Sequence, residues 1–324
     1  MTEPAPGGGG PPPEDKRYEQ SLVNELAREF LREQRAARRW SVFFKSLLAI
    51  YLFAFLVIYV AGKANLQKMG FPGEKHTALI DIDGVISANT QANADSIIAS
   101  LRAAFEDKDT AGVILRINSP GGSPVQAGDI NDEIWRLRAK HPNIHVYVVV
   151  GDMCASGGYY IASAANKIYA NKASIVGSIG VIMEGFGFVD AIKKLGIERR
   201  ALHAGKHKDF MDPFAPMNPD EVDQVHSLLN NIYQQFIAVV KRGRGKRLKD
   251  DPRIFSGLVW TGQQAVKLGL VDGLGSAGYV ARNVIGAPRI VDYTRRVSYL
   301  DRFAKRLGVT MANRLGAMAR VQLY

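Results

Sequence analysis

Two glycine-rich turns hold the residues best suited to covalent chemistry. One reads Gly151-Asp-Met-Cys-Ala-Ser-Gly-Gly-Tyr-Tyr160 and follows an apolar, β-branched run. A serine, two glycines and then a helical stretch from Tyr159 to Ala165 place Ser156 at a helix N-terminus. There the dipole and the free N–H groups favour negative charge. Strand–turn–serine–helix is also the general geometry of an exposed nucleophile. The same residues fit an ordinary N-cap equally well, so alone they do not decide. The other turn, Asn118-Ser-Pro-Gly-Gly-Ser-Pro124, also lies between a strand and a helix. Its paired glycines let backbone N–H groups turn toward a ligand, as an oxyanion hole requires. The lysine and hydroxyl of a phosphate-binding loop are missing from it.

A serine nucleophile needs a base. The six histidines (His76, His141, His145, His203, His207 and His226) stand in no recognisable triad context. A lysine serves if burial lowers its pKa from about 10.4 toward neutrality, roughly 3–4 kcal/mol of shift. Gly205-Lys-His-Lys-Asp-Phe-Met-Asp-Pro213 offers Lys206 and Lys208, and spacing does not choose between them. His207 is a rival base, with a titration near 6.5 as its signature. Cys154, two residues before Ser156, is a rival nucleophile, although a lone cysteine behind a strand is usually a small buried hydrophobe.

These residues need a scaffold. Ala78 to Ile82, Gly112 to Ile117 and His145 to Val150 read as buried strands, with helical stretches Ala92 to Phe105 and Val125 to Lys140 between them. That alternation predicts an α/β fold with a largely parallel sheet covered by helices. Ile168 to Ala170 and Ile179 to Met183 are expected to add short strands. Asn218 to Lys241 reads as a long helix, with Pro219 in its first turn and Asp220 and Glu221 complementing its dipole.

The chain has 324 residues, 47% hydrophobic and 23% charged, which excludes wholesale disorder. Its one cysteine excludes an internal disulfide and any multi-cysteine metal site. The net charge of +11 divides into +3 over residues 1–75, +3 over 76–290 and +5 over 291–324. An excess gathered at the two ends points to a membrane surface or a tail function rather than nucleic-acid reading.

Residues 1–16 are mostly Gly, Pro and acid, a composition that does not fold. Residues 17–40 read as a basic amphipathic helix, with Leu22, Leu26, Phe30 and Leu31 along one stripe and Arg32, Arg35, Arg38 and Arg39 at its end. Residues 41–62 carry one charge, Lys45, and are long enough to cross a bilayer. The excess of basic residues before this run places the N-terminus in the cytoplasm and everything after Lys63 outside. Forty preceding residues and the lack of a clean cleavage site argue against a signal peptide. A linker at 63–75, a catalytic domain at 76–290 and a basic tail at 291–324 complete the expected organisation. In the tail Leu300, Phe303, Leu307, Met311, Leu315 and Met318 recur at helical steps. They suit a helix packed on a neighbour, a loose end, or a helix lying on anionic lipid.

Taken together, Asn118-Ser-Pro-Gly-Gly, Ala155-Ser-Gly-Gly-Tyr-Tyr-Ile-Ala162, Gly177-Ser-Ile-Gly-Val181, His207-Lys-Asp with Pro213, and Trp260-Thr-Gly through Leu268-Gly-Leu-Val-Asp272 resemble bacterial signal peptide peptidase A in its short, single-domain form. The likeness runs from about Ala78 to Gly275. It implies a crotonase/ClpP-like fold and a serine–lysine dyad. Ser156 matches the nucleophile, Lys208 the general base, and Ser178 a hydroxyl that orients the lysine. The N–H groups of Gly157, Gly121 and Gly122 match the oxyanion hole.

The resemblance further implies a homo-oligomeric, dome-like ring with active sites near protomer interfaces; an octamer is one candidate, and the dyad forms within or between protomers. Substrates are expected to be remnant signal peptides and other extended apolar segments at the bacterial inner membrane, with the catalytic domain on the periplasmic side. No cofactor, metal or nucleic acid is expected. Trp260 and Leu268 to Val271 are expected to pack the core. The alternatives are a crotonase-like acyl-CoA enzyme, whose oxyanion hole also uses glycine N–H groups, and an inactive scaffold that binds membrane peptides.

Overall fold

The computed structural model describes residues 38–58 and 73–295. The chain divides into two units, Met1–Pro72 and Gly73–Tyr324. In the first, α1 (Arg38–Ile58) is a 21-residue helix exposed along its whole length. At 1.5 Å per residue it reaches about 30 Å, long and apolar enough to cross a membrane. The expected Gly/Pro-rich start, most of the amphipathic helix, the last residues of the apolar run, most of the linker and nearly all of the basic tail lie outside the described residues.

The second unit is a mostly parallel α/β fold, as its pattern predicts. Its elements are β1 (His76–Asp83), α2 (Ala94–Glu106), β2 (Thr110–Ser119), α3 (Pro124–Lys140), β3 (His145–Ala155), α4 (Gly157–Ala162), β4 (Lys167–Ala170), β5 (Ile175–Gly177), α5 (Val189–Lys194), α6 (Pro219–Arg244), β6 (Val259–Thr261), α7 (Gly262–Leu268), β7 (Gly273–Leu274) and β8 (Ile290–Asp292). The sheet runs β6-β5-β3-β2-β1-β8, and every pairing is parallel except β5 with β6. On its edge away from β2, the long strand β3 serves two neighbours. Its first half pairs with β4, and β4 with β7, while Met153 to Ala155 pair with β5.

Period-two alternation sets the two faces. Ala78, Ile80 and Ile82, with Val113, Leu115 and Ile117 and with Val146, Val148 and Val150, enter the main core. Ile97, Leu101, Ala104 and Phe105 of α2 and Ala127, Ile130, Ile134 and Leu137 of α3 meet them at helical spacing. On the other face Leu79, Ile114 and Val149 pack against Val280 and Ala281. Both faces are therefore covered, and the strands accordingly read as continuous apolar runs.

Local signals account for most element ends. The Asn93 side chain accepts the N–H of Ser96 at the start of α2. Ser123 followed by Pro124 opens α3, and Asn218 followed by Pro219 opens α6. Thr261 and Gln264 form a capping box on α7. Leu270 and Val271 are buried in the core, and Trp260 packs half-buried against it.

The buried Arg244 clamps α6 to this C-terminal end. Its guanidinium donates to Asp272 (2.7 Å) and to the carbonyl of Gly269 (2.8 and 2.9 Å). The Asp272 carboxylate also accepts the Ile168 N–H. Burial alone would raise the Asp272 pKa. The hydrogen bond and charge of Arg244, the Ile168 N–H and Arg247 outweigh burial and hold it below the usual carboxylate range.

Two expected elements differ. Ile179 to Met183 is not a strand; the short strand lies earlier, at Ile175–Gly177. Ser178 takes a positive φ of 51° and gives its N–H to the carbonyl of Leu258, which ends the pairing with β3. Beyond it Ile182 and Met183 face outward. The helix after Ser156 is likewise shorter than expected and closes at Ala162.

Candidate active site

Strands β2 and β3 run parallel to the end of β2, where Ser119 lies opposite Cys154, the next-to-last residue of β3. Both glycine turns therefore leave the same end of the sheet, side by side, where open α/β sheets place their sites. A register shift between Ile117 and Ser119 bends β3 toward β5, and the Asn118 side chain supports the bend by accepting the N–H of Met153.

Ser156 stands at the corner between β3 and α4 with φ 51° and ψ −122°, a left-handed conformation costly for a residue with a Cβ. Its N–H donates to the carbonyl of Gly177 (2.9 Å), and its own carbonyl accepts the N–H of Tyr160 (2.9 Å). The backbone of Ser156 is thus held on both sides. Its side chain makes no capping hydrogen bond. The plain N-cap alternative has a different geometry, with extended dihedrals and a side-chain oxygen on the N2 or N3 N–H.

The first glycine turn presses directly on this corner. A Cβ on Gly121 would sit 2.6 Å from the Ser156 Cβ and 2.8 Å from the Gly157 nitrogen, and φ at Gly121 is +107°. A Cβ on Gly122 would sit 2.1 Å from the carbonyl oxygen of Ile86. No side chain fits at either position. Ile86 bridges the turn from outside, donating to the Gly121 carbonyl (2.9 Å) and accepting the Ser123 N–H (2.8 Å). The Gly121 N–H is engaged by the buried hydroxyl of Ser119 (3.1 Å).

Of the residues singled out in the sequence, Ser156, Gly157, Gly121 and Gly122 come together here. Half-buried Ser178 borders them, because Gly177 pairs with Ala155 and receives the Ser156 N–H. Like Ser156 it carries a positive φ of 51°. Cys154 lies fully inside the core, where burial pushes its thiol far above the ordinary range, which leaves it inert.

Lys208 stands apart. It is exposed on a run of turns, with its N–H on the Gly205 carbonyl (3.1 Å). Among the described residues, no hydrogen bond joins its side chain to Ser156. An ion pair, Arg199 with Asp212 (2.7 Å), flanks it, together with the His203–Asp209 (3.2 Å) and His207–Glu221 (3.8 Å) contacts. The same segment borders a groove of about 770 Å³ lined by Phe186, Phe188, Met211, Met217 and Val225.

Sequence reasoning missed Ser119, Ile86 and Glu221 as parts of this arrangement. Ser119 lay in view inside the Asn118-Ser-Pro-Gly-Gly turn. Nothing local marks Ile86 or Glu221.

A family model described as peptidase family S49 matches residues 138–284. A Synechocystis sp. protein named as a protease, slr0021, is 33% identical over 62% of this chain and 70% of its own length. An Enterococcus faecium protein named as a signal peptide peptidase, SppA, is 31% identical over 62% of this chain and 60% of its own. A Brucella melitensis protein named Na(+)/H(+) antiporter NhaA is 46% identical over 57% of this chain. The alignment reaches only 25% of that antiporter's length, too little to carry its printed activity across.

Proposed function

The chain belongs to peptidase family S49, and from this membership and the geometry of Ser156 we propose a membrane-anchored serine endopeptidase that cuts extended apolar peptides, remnant signal peptides among them. The observation that carries the reading is the Ser156 corner: a strained residue whose hydroxyl caps nothing and which abuts a turn where no Cβ fits. Strain held by surrounding structure clusters at functional sites.

In this mechanism Ser156 Oγ attacks the scissile carbonyl while neutral Lys208 takes its proton. The tetrahedral oxyanion lies at the N-terminus of α4. Because Ser119 already occupies the Gly121 N–H, the donors are the N–H groups of Gly122 and Gly157, each worth about 2.7–4 kcal/mol. Lysine then protonates the leaving amine, and water attacks the acyl-enzyme with the same lysine as base. Ser178 orients the amine.

A neutral lysine needs burial, and Lys208 is exposed in the single chain. A neighbouring protomer of a homo-oligomeric ring supplies that cover, with the dyad formed across the interface. Helix α1 anchors the assembly in the membrane, its basic end cytoplasmic and the peptidase unit on the far side. Family membership favours peptide over acyl-CoA substrates.

The decisive comparison sets wild type beside Ser156→Ala and Lys208→Ala on a fluorogenic apolar peptide from pH 6 to 10. Both variants are expected to lose at least about 10³-fold in kcat, and the wild-type rate to climb above neutral pH. Undiminished turnover in Lys208→Ala would sink the dyad. Mixing the two inactive variants restores activity if the dyad spans protomers.

A further inference from the structure

Three non-glycine residues among those described have a left-handed backbone: Ser156, Ser178 and Met211. The first two belong to the proposed site. Met211 (φ 58°) lies three residues after Lys208, and its N–H donates to Glu221 Oε2 at 3.0 Å. The other oxygen of Glu221 faces His207 Nδ1 at 3.8 Å, one residue before Lys208. One carboxylate thus holds the backbone after the lysine by a hydrogen bond and lies near the side chain before it.

Among the described residues, the Glu221 carboxylate makes no other hydrogen bond. It is the third residue of α6, where a glutamate ordinarily reaches back to the N-cap N–H to close a capping box. Here Asn218 caps the helix through the Asp220 N–H (3.0 Å), and the Glu221 carboxylate turns away to Met211. The residue is only 8% exposed, so its desolvation is offset by these contacts rather than by water. Elsewhere the segment is held by surface contacts, Arg199 with Asp212 (2.7 Å) and His203 with Asp209 (3.2 Å). Lys206, His207 and Lys208 are exposed, and α5, which precedes it, buries no residue.

We infer that Glu221 is the positioning residue of the base-bearing segment: through the Met211 N–H it sets the turn that presents Lys208 to the serine. This rests on the serine–lysine reading. A carboxylate that acts through backbone geometry affects turnover more than substrate binding, because misplacing a reacting group by about 1 Å costs on the order of 10²-fold. Glutamine keeps a carbonyl oxygen for the Met211 N–H but loses the charge toward His207.

The test measures kcat, KM and thermal midpoint for Glu221→Ala and Glu221→Gln in the full-length, membrane-extracted protein, beside Lys208→Ala. Glu221→Ala is expected to lower kcat about 10–100-fold with KM within about twofold, at a midpoint close to wild type. Glu221→Gln should return kcat to within about threefold of wild type. Wild-type kcat in Glu221→Ala, with Lys208→Ala dead, overturns the positioning role and leaves the dyad standing. Glutamine as damaging as alanine also overturns it, since charge rather than the hydrogen bond would then matter. If Glu221→Ala fails to fold, the glutamine variant decides alone. Activity persisting in Lys208→Ala is the separate failure, that of the dyad itself.

Discussion

Helices α4 and α5 are each six residues long, yet five residues of α4 are buried and none of α5 is. Isolated helices of this length are unstable in water, so each depends on what packs against it. The core supplies that for α4, with Tyr159, Ile161 and Ala162 fully buried behind Ser156. Around α5 the chain instead shows its apolar side to solvent, with Phe186 82% and Leu202 100% exposed. The half of the proposed site that carries Ser156 is finished within one chain. The half that carries Lys208 is braced by the Arg199–Asp212 pair and one buried carboxylate, and its apolar surface is left for something else to cover. Such an asymmetry is what the proposed dyad across protomers requires.

The same substitution placed in each region breaks or sharpens this contrast. Gly121→Ala drives a Cβ into Ser156 and Gly157 at a φ that only glycine adopts freely, and should cost about 10²–10³-fold in turnover with marked loss of stability. Gly205→Ala has a similar φ of +103°, but its nearest neighbour is the Lys208 Cβ at 4.0 Å. It should cost only about 1 kcal/mol of backbone strain. Urea unfolding and peptide turnover on both variants compare the two halves directly; equal damage would mean the base segment is as tightly built as the serine corner.

On the nucleophile side, Asp272→Asn leaves the buried Arg244 guanidinium without its counter-charge. Breaking such a pair costs about 3–5 kcal/mol, read as a lower urea midpoint. Acid should also act there. Arg136 holds the Glu133 carboxyl down to about 2 against the opposing effect of burial, and Arg102 assists. Since its folded pKa lies below the unfolded value of 4.5, the stabilisation is complete above that value and is lost as pH falls toward 2. With both arginines half-exposed, about 2 kcal/mol is at stake. Glu133→Gln should flatten the stability–pH curve between pH 4.5 and 2, and an unchanged curve would remove Glu133 from the account. The smallest effect belongs to Phe186→Ser. Being exposed, it should shift unfolding by no more than about 0.5 kcal/mol in dilute protein, while light scattering reports whether it weakens assembly.

Much of the first region was legible in the residues themselves. Ala78 to Ile82, Gly112 to Ile117 and His145 to Val150 are strands because β-branched runs bounded by turn residues leave few other options. Helices α3 and α6 start where a capping side chain precedes proline. The second region was read poorly for an equally physical reason. Ile179 to Met183 has the composition of a buried strand, but the backbone leaves strand geometry at Ser178 and the segment ends on the surface. Apolar content predicts burial only when a partner surface lies in the same chain.

What the sequence determined alone was therefore local: a serine between a strand and two glycines, a glycine pair after another strand, and a long apolar helix ahead of both. Each follows from conformational limits acting over a few residues. The tertiary structure decided which ends meet. Parallel register brought Ser119 beside Cys154 and so pressed Gly121 against Ser156, while β5 offered the Gly177 carbonyl to the serine N–H. It also turned Glu221, which reads from sequence as a dipole complement, onto Met211. These contacts join residues that no short-range pattern connects, because register and packing are chosen by the whole core at once.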